Sequence, residues 1–307
     1  MILVYSEDPI RTRELITAAR TLDKEVAVLA AGNPEKAQAL ALTGVRVDLI
    51  EADLPLFDTG AMATVVALVA EAAGADTVLL ASNRRGRELA GRLAQKMGAG
   101  CLTDAHSLEL SGGELRAVRN TLGGATEATQ AVTSARKVVT VSPKAYAPAE
   151  AGEGGSVRPL TVSMPPNRVN VRESRRREKD NIDIEAAEVI VAVGQGLPDK
   201  AALALADEVA GRLGGVLACS KPVATDRKWL SEERVIGLSG KICSPELALV
   251  MGISGQVQFT VGIRDAKTIV AVNTDENAPM CGMSDYILVS DLKETLRQLK
   301  DAAEKGL

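Results

Sequence analysis

The chain has 307 residues, 46% hydrophobic and 25% charged, proportions that exclude a largely disordered or fibrous polymer and make two domains the first expectation. Lys plus Arg number 36 against 40 Asp plus Glu, a net charge of −4, so the basic field of a non-specific nucleic-acid binder is missing. One histidine, His106, and four scattered cysteines, Cys101, Cys219, Cys243 and Cys281, exclude a multi-histidine metal site and offer no Cys-x-x-Cys pair for zinc or redox work.

With aromatics at 2%, cores must be built from Val, Leu, Ile and Ala, which suits α/β layers with parallel strands. From the first residue, short β-rich runs alternate with helical patterns: Ile2–Tyr5, Arg11–Leu22, Val26–Ala30, Pro34–Leu42 and Val47–Glu51. The rhythm continues through Met62–Ala73, Thr77–Ala81 and Gly86–Met97, where Leu89, Leu93 and Met97 recur four apart and predict the buried stripe of a helix on a sheet. Leu108–Leu110 and Leu115–Arg119, joined by Ser111-Gly112-Gly113, predict a hairpin. A helix is expected over Ala125–Ala135, then a strand at Val138–Val141.

From Ala147 to Arg177 the composition turns to Pro, Gly and charge, which predicts a surface loop, an extended strand and a solvated crossing. Arg175-Arg176-Arg177, interleaved with Glu173, Glu178 and Asp180, reads as a charged linker. A second alternation follows: strand Val189–Val193, helix Lys200–Leu213, strands Val216–Cys219, Val235–Leu238, Leu247–Met251, Thr268–Asn273 and Ile287–Val289, and a terminal helix Leu292–Lys305. Two α/β domains meeting near residue 180 are therefore expected. The N-terminus has no signal-peptide pattern, and no apolar run approaches the roughly 18 residues that span a bilayer. A soluble, cytoplasmic protein without a transmembrane segment is the expectation.

Several strand ends carry groups suited to a ligand. Strand Val189–Val193 runs into Gly194-Gln195-Gly196 and then a helix, the layout of a nucleotide-binding turn although a third glycine is missing. Ile236-Gly237-Leu238-Ser239-Gly240-Lys241 sets a hydroxyl and a cation between glycines, and Gly252-Ile253-Ser254-Gly255-Gln256-Val257-Gln258-Phe259 is a further glycine-flanked bend bearing Ser and Gln. Asn273-Thr274-Asp275 closes one strand, and Ser290-Asp291-Leu292 opens the last helix. Each motif alone is also ordinary turn chemistry. Their shared position at the carboxyl ends of strands, where open parallel sheets bind ligands, favours a two-part nucleotide in the second domain. No Ser-His-Asp set, paired catalytic carboxylates or metal cluster stands out there, so the site looks built to hold rather than to cut. His106 reads as structural or surface, Trp229 as packing for a loop, and Met280 and Met283 as core filling.

Cys219-Ser220-Lys221-Pro222-Val223, Gly240-Lys241, Pro245-Glu246-Leu247, Gly252–Gln258, Thr268–Asp275, Ala278-Pro279 and Asp285-Tyr286 together resemble the α subunit of electron transfer flavoprotein. In the N-terminal half the likeness is carried by Asn83–Arg87 with Leu89-Ala90, by Leu102-Thr103-Asp104 and by Gly123-Gly124. Ala218–Val223 followed by Lys228-Trp229 is similar to the Fix branch of that family, which feeds electrons to quinone- or acyl-CoA-linked systems.

The resemblance implies a fold of two α/β domains. The first, 1–180, would be a nucleotide-hydrolase-like α/β domain with no cofactor of its own, contacting the β subunit of a heterodimer. The second, 181–307, would be a doubly wound parallel-sheet domain carrying FAD. FAD contacts are implied at Gln195, Ser220, Lys221, Ile236, Gly237, Leu238, Ser239, Ser254, Gly255, Gln256, Val257, Gln258, Phe259, Asn273, Asp291 and Leu292. No catalytic residue and no metal are implied, since the family shuttles electrons from dehydrogenases, or from a β-subunit flavin, to quinone- or acyl-CoA-linked acceptors. The natural hinge between the domains is the 164–180 crossing.

This sequence departs from the family pattern at three of those places. Lys221 stands where family members usually have Arg, Phe259 where they have His, and Gln195 where Arg is common. Lys keeps the charge but loses the planar fork. Reduction adds negative charge that nearby donors and cations stabilise, so a flavin here is expected to be harder to reduce. The departures keep a partner subunit that has lost FAD in view, alongside a nucleotide-dependent oxidoreductase.

Overall fold

A computed structural model of the chain describes residues 1–22, 25–122, 126–152, 154–166, 168–173 and 182–304. The chain divides into two compact units, Met1–Ser174 and Arg175–Leu307.

The first unit runs β1 (Ile2–Tyr5), α1 (Pro9–Arg20), β2 (Val26–Ala31), α2 (Pro34–Ala41), β3 (Arg46–Ile50), α3 (Thr59–Ala73), β4 (Thr77–Ala81), α4 (Arg84–Met97), β5 (Gly100–Ser111), β6 (Glu114–Thr121), β7 (Thr126–Val132), β8 (Lys137–Val141) and β9 (Ser156–Pro159). Its helices start where the sequence supplies a side-chain acceptor for a free amide: Asp8, Asn33, Asp58 and Asn83 cap α1 to α4, and Pro9 and Pro34 pre-set the first turn of two of them. Gly74 and Gly98 end α3 and α4 in the left-handed conformation. The nine strands form one sheet, ordered β7-β6-β5-β8-β4-β1-β2-β3-β9, parallel except for the antiparallel β5–β6–β7 extension. One apolar cluster covers each face of this sheet, with Leu89, Leu93 and Met97 of α4 buried in one of them.

One element differs in kind from expectation. The helix expected over Ala125–Ala135 is strand β7, paired antiparallel to β6 from Thr126 opposite Thr121 to Val132 opposite Leu115. Ala128 and Ala131 favour a helix, but Thr126, Thr129 and Val132 suit a pleated ribbon, and pairing with β6 decides the outcome. Ala125, Gly123-Gly124 and Arg175-Arg176-Arg177 lie outside the described residues.

The second unit runs β10 (Val189–Val193), α5 (Lys200–Arg212), β11 (Val216–Cys219), α6 (Lys221–Thr225), β12 (Leu247–Met251), α7 (Val257–Thr260), β13 (Thr268–Asn273), α8 (Pro279–Gly282), β14 (Tyr286–Val289) and α9 (Leu292–Glu304). All five strands are parallel, in the order β11-β10-β12-β13-β14, the doubly wound arrangement in which the chain first steps one way and then returns past its starting strand. Successive residues of β10 face opposite cores: Val191 and Val193 meet α5 and α9, while Ile190 and Ala192 meet Ile184, Phe259 and Met280.

Val235–Leu238, expected as a strand, makes only the isolated bridges Cys219–Val235 and Ile236–Lys241. Gly237, at φ 123°, turns the chain back so that the Lys241 amide donates to the Val235 carbonyl at 2.8 Å. The edge strand β14 leaves Tyr286, Ile287, Leu288 and Val289 all exposed.

Candidate functional site

The strand order of the second unit reverses between β10 and β12, which opens a crevice outside their carboxyl ends. Glycine lets the two turns there lie against each other. The Gly194 amide donates to the Met251 carbonyl and the Gly196 amide to the Gly252 carbonyl, each at 3.0 Å. A Cβ on Gly196 would stand 2.8 Å from the Gly252 Cα, and Gly252 itself sits at φ 61°. The resulting cleft measures about 680 Å³, well within the range of roughly 300–1,000 Å³ seen for small-molecule and cofactor sites.

Most of the residues singled out above line this cleft. Gln195 is exposed on the wall that follows β10. Ser220 begins α6 with a hydroxyl that makes no capping bond, and Lys221 beside it is exposed with no ion pair among the described residues. Ile236, Leu238 and Ser239 form a second wall, held when the Leu238 amide donates to the Gln258 carbonyl at 2.8 Å. Ser254, Gln256 and Gln258 present polar side chains from the bend after β12, and Phe259 lines the wall beside them at 6% exposure, backed by the core. Asn273 ties two turns together, its Nδ2 donating to the Ile253 carbonyl and its Oδ1 accepting from the Asp275 amide, both at 3.1 Å. Asp291 Oδ1 accepts from the Lys293 and Glu294 amides, which caps α9, and Leu292 is buried behind it.

Gly237, Gly255 and Val257 do not line the cleft. Gly255 supports it from behind, because a Cβ there, at φ 85°, would meet the Met280 nitrogen at 2.2 Å. Thr274, Asp275, Ala278 and Ser290 do line it without having been singled out as contacts. Their signal was adjacency to Asn273 and Asp291 at the ends of β13 and β14. Arg227 had no signal at all: its Nη2 donates to the Gln195 carbonyl at 2.8 Å, and its guanidinium lies over Trp229. Trp229 packs against the α5-side core, as a loop residue should.

The electrostatics restrict the chemistry. The N-terminus of α5, where a pyrophosphate would sit in a dinucleotide-binding turn, is closed by Asp199, whose Oδ1 accepts from the Ala202 amide at 2.7 Å. That hydrogen bond, with help from Lys293 Nζ at 2.9 Å, holds the Asp199 carboxyl below its usual range, so a negative charge already occupies the helix end. Burial pushes the Cys219 thiol up to about 12, which keeps it protonated and inert. Among the described residues no group of His, Cys, Asp or Glu is placed to hold a metal ion. His106 belongs to the first unit, where its Nε2 stands 3.1 Å from Glu127 Oε2. The cleft therefore offers glycine-lined backbone, hydroxyls, amides, the carboxylates of Asp275 and Asp291 and, among the described residues, the single cation Lys221.

The matching reversal in the first unit, between β4 and β1, is nearly closed. It leaves about 30 Å³ around Tyr5, room for about one water molecule. Arg85, paired with Glu7 and stacked over Phe57, lies across it.

Known proteins match this arrangement in both halves. The electron transfer flavoprotein domain matches residues 10–166, and the electron transfer flavoprotein FAD-binding domain matches residues 183–264. Protein FixB of Escherichia coli O127:H6 (strain E2348/69 / EPEC) is 31% identical over 307 residues, spanning 98% of this chain and 97% of its own. The chain belongs to the electron transfer flavoprotein α-subunit family, in its Fix-type branch. Protein FixB of Shigella dysenteriae serotype 1 (strain Sd197) is likewise 31% identical, over the same shares of both chains. A solved thiamin-diphosphate-dependent enzyme from Mycobacterium smegmatis overlays 96% of this chain and 54% of its own at 12% identity, but its TM-score of 0.24 is too low to bear on fold or function.

FAD is the cofactor of the matched domain, and electron transfer flavoprotein α subunits pair with a β subunit. The cleft suits FAD in size, and its walls rest on glycine turns that an added Cβ would force apart. Its hydroxyl and amide side chains suit the neutral flavin and ribityl parts of the ligand, while Lys221 and the backbone amides of the glycine-rich bends are the groups suited to its pyrophosphate. No helix among the described residues is long and apolar enough to cross a membrane.

Proposed function

We propose that this electron transfer flavoprotein α subunit holds one FAD in the 680 Å³ cleft and, with its β subunit, carries electrons in the cytoplasm from dehydrogenases or a β-subunit flavin to a quinone- or acyl-CoA-linked acceptor. Domain 181–307 is the FAD-binding part, and domain 1–180 is the part that contacts the β subunit. The observation that carries the reading is a large cleft at the reversal of strand order, lined by glycine turns and by hydroxyl and amide side chains. Bound FAD supplies the redox chemistry. The chain supplies position and electrostatics.

Ser220, Ser239, Ser254, Gln256, Gln258 and Gln195 would donate to the polar edges of the cofactor. Lys221 brings an unneutralised charge to the mouth. Ile236, Leu238, Phe259 and Leu292 would give the bound cofactor its apolar walls, while Gly237, Gly255 and Val257 would hold the bends on which the donors sit. Asn273 and Asp291 fix the turns after β13 and β14.

The test is anaerobic. The FAD-loaded heterodimer is mixed with an acyl-CoA dehydrogenase and its substrate, or with a reduced pyridine nucleotide, and flavin bleaching is followed, then reoxidation by a quinone-linked acceptor. Bleaching and reoxidation at catalytic donor concentration are expected. A flavin that dithionite reduces but no dehydrogenase or nucleotide does would overturn the carrier reading.

A further inference from the structure

Arg227 joins two walls of the cleft. Its own amide donates to the Pro222 carbonyl at 3.1 Å, which anchors it to the turn carrying Ser220 and Lys221. Its side chain reaches the opposite wall, donating Nη2 to the Gln195 carbonyl at 2.8 Å and Nη1 to the Leu197 carbonyl. These carbonyls flank Gly196, the residue that packs on Gly252. The guanidinium carbon stands 4.6 Å from the centroid of Trp229, whose amide donates back to the Val223 carbonyl at 3.1 Å. Among the described residues Arg227 has no carboxylate partner, so its charge is spent on carbonyl dipoles and an aromatic face.

We infer that Arg227 is a positioning residue for the cofactor cleft, clamping the Gln195–Leu197 turn to the Ser220–Lys221 turn with Trp229 as its seat. The inference rests on the FAD reading of this cleft. A guanidinium is needed because its fork can serve two carbonyls at once while its plane lies on the indole. An ammonium keeps the charge but is a single point that cannot hold both. Without the clamp the Gln195–Leu197 turn keeps its bonds to the turn after β12 but loses its tie to the Ser220–Lys221 turn, and cofactor binding must then supply that ordering.

The experiment uses the full chain, alone and assembled with the β subunit, freed of flavin and titrated with FAD. Trp229 is the sole tryptophan, so its emission reports on the clamp directly. Arg227→Lys and Arg227→Gln are each expected to weaken FAD binding by at least about tenfold, to alter Trp229 emission before any FAD is added, and to change the shape of the visible flavin band. Trp229→Phe, which leaves the fork on its carbonyls, is expected to cost about threefold. Wild-type affinity in Arg227→Lys would overturn the inference, because charge alone would then suffice; so would wild-type affinity in Arg227→Gln. If the unsubstituted chain takes up no FAD, the FAD reading falls instead. The clamp is then judged on emission alone, and unchanged emission in ligand-free Arg227→Gln overturns it.

Discussion

Gly194 and Gly252 meet across the reversal of strand order, and a Cβ on Gly194 would stand 2.3 Å from the Gly252 carbonyl oxygen. The obstacle is backbone, so the turns after β10 and β12 must separate to admit a methyl group. Gly194→Ala is expected to lower FAD content per chain at least tenfold while both sheets persist. Released flavin quantified against protein, with far-ultraviolet circular dichroism as control, checks this. The cost to stability is about 1–3 kcal/mol, the usual penalty for overfilling a packed site.

Phe259 is buried at the cleft wall, at 6% exposure, where the family resemblance implies His. Phe259→His should raise the midpoint potential of the bound flavin, because an N–H donor then faces a group that gains negative charge on reduction. Phe259→Leu, which restores no donor, should leave it lower. Potentiometric titration decides, and equal potentials in all three proteins would refute the electrostatic argument.

Much of this was legible beforehand. Apolar runs such as Thr77–Ala81, Val189–Val193, Leu247–Met251 and Thr268–Asn273 coincide with β4, β10, β12 and β13, because a strand buried on both faces cannot conceal its composition. The strand-end glycines and hydroxyls drew attention to the cleft for the same reason that they build it. Two segments misled. Thr126–Val132 contains helix-forming Ala yet pairs with β6, and Val235–Leu238 is apolar but broken by Gly237 at φ 123°. Arg227 was illegible, since its partners Gln195 and Leu197 lie about 30 residues away and present only backbone carbonyls.

Asp199 links the second unit to acid. Its carboxyl is held below the ordinary value of 3.8, chiefly by the Ala202 amide and then by Lys293. A group whose pKa is depressed on folding contributes stability above its unfolded pKa and loses it as pH falls through the folded one. Urea midpoints taken from about pH 7 down to about pH 3 should therefore fall less steeply below pH 3.8 in Asp199→Asn than in the unsubstituted chain. Parallel curves would show that this cap does not titrate with folding.

Among the described residues the edge strand β14 pairs only with β13, and it leaves Ile287 and Val289 at 51% and 54% exposure. A free apolar edge promotes strand-to-strand association. Ile287→Lys in the isolated chain should reduce concentration-dependent association, read by sedimentation velocity, with unchanged circular dichroism. Undiminished association would place the contact elsewhere.

The most direct measurement is the visible absorption spectrum of the chain co-purified with its β subunit, before and after anaerobic reduction, with released flavin identified and counted. The expected result is FAD in the α subunit at one per chain, bleached on reduction and lost in Gly194→Ala. A stable, colourless heterodimer that takes up no added FAD would contradict it.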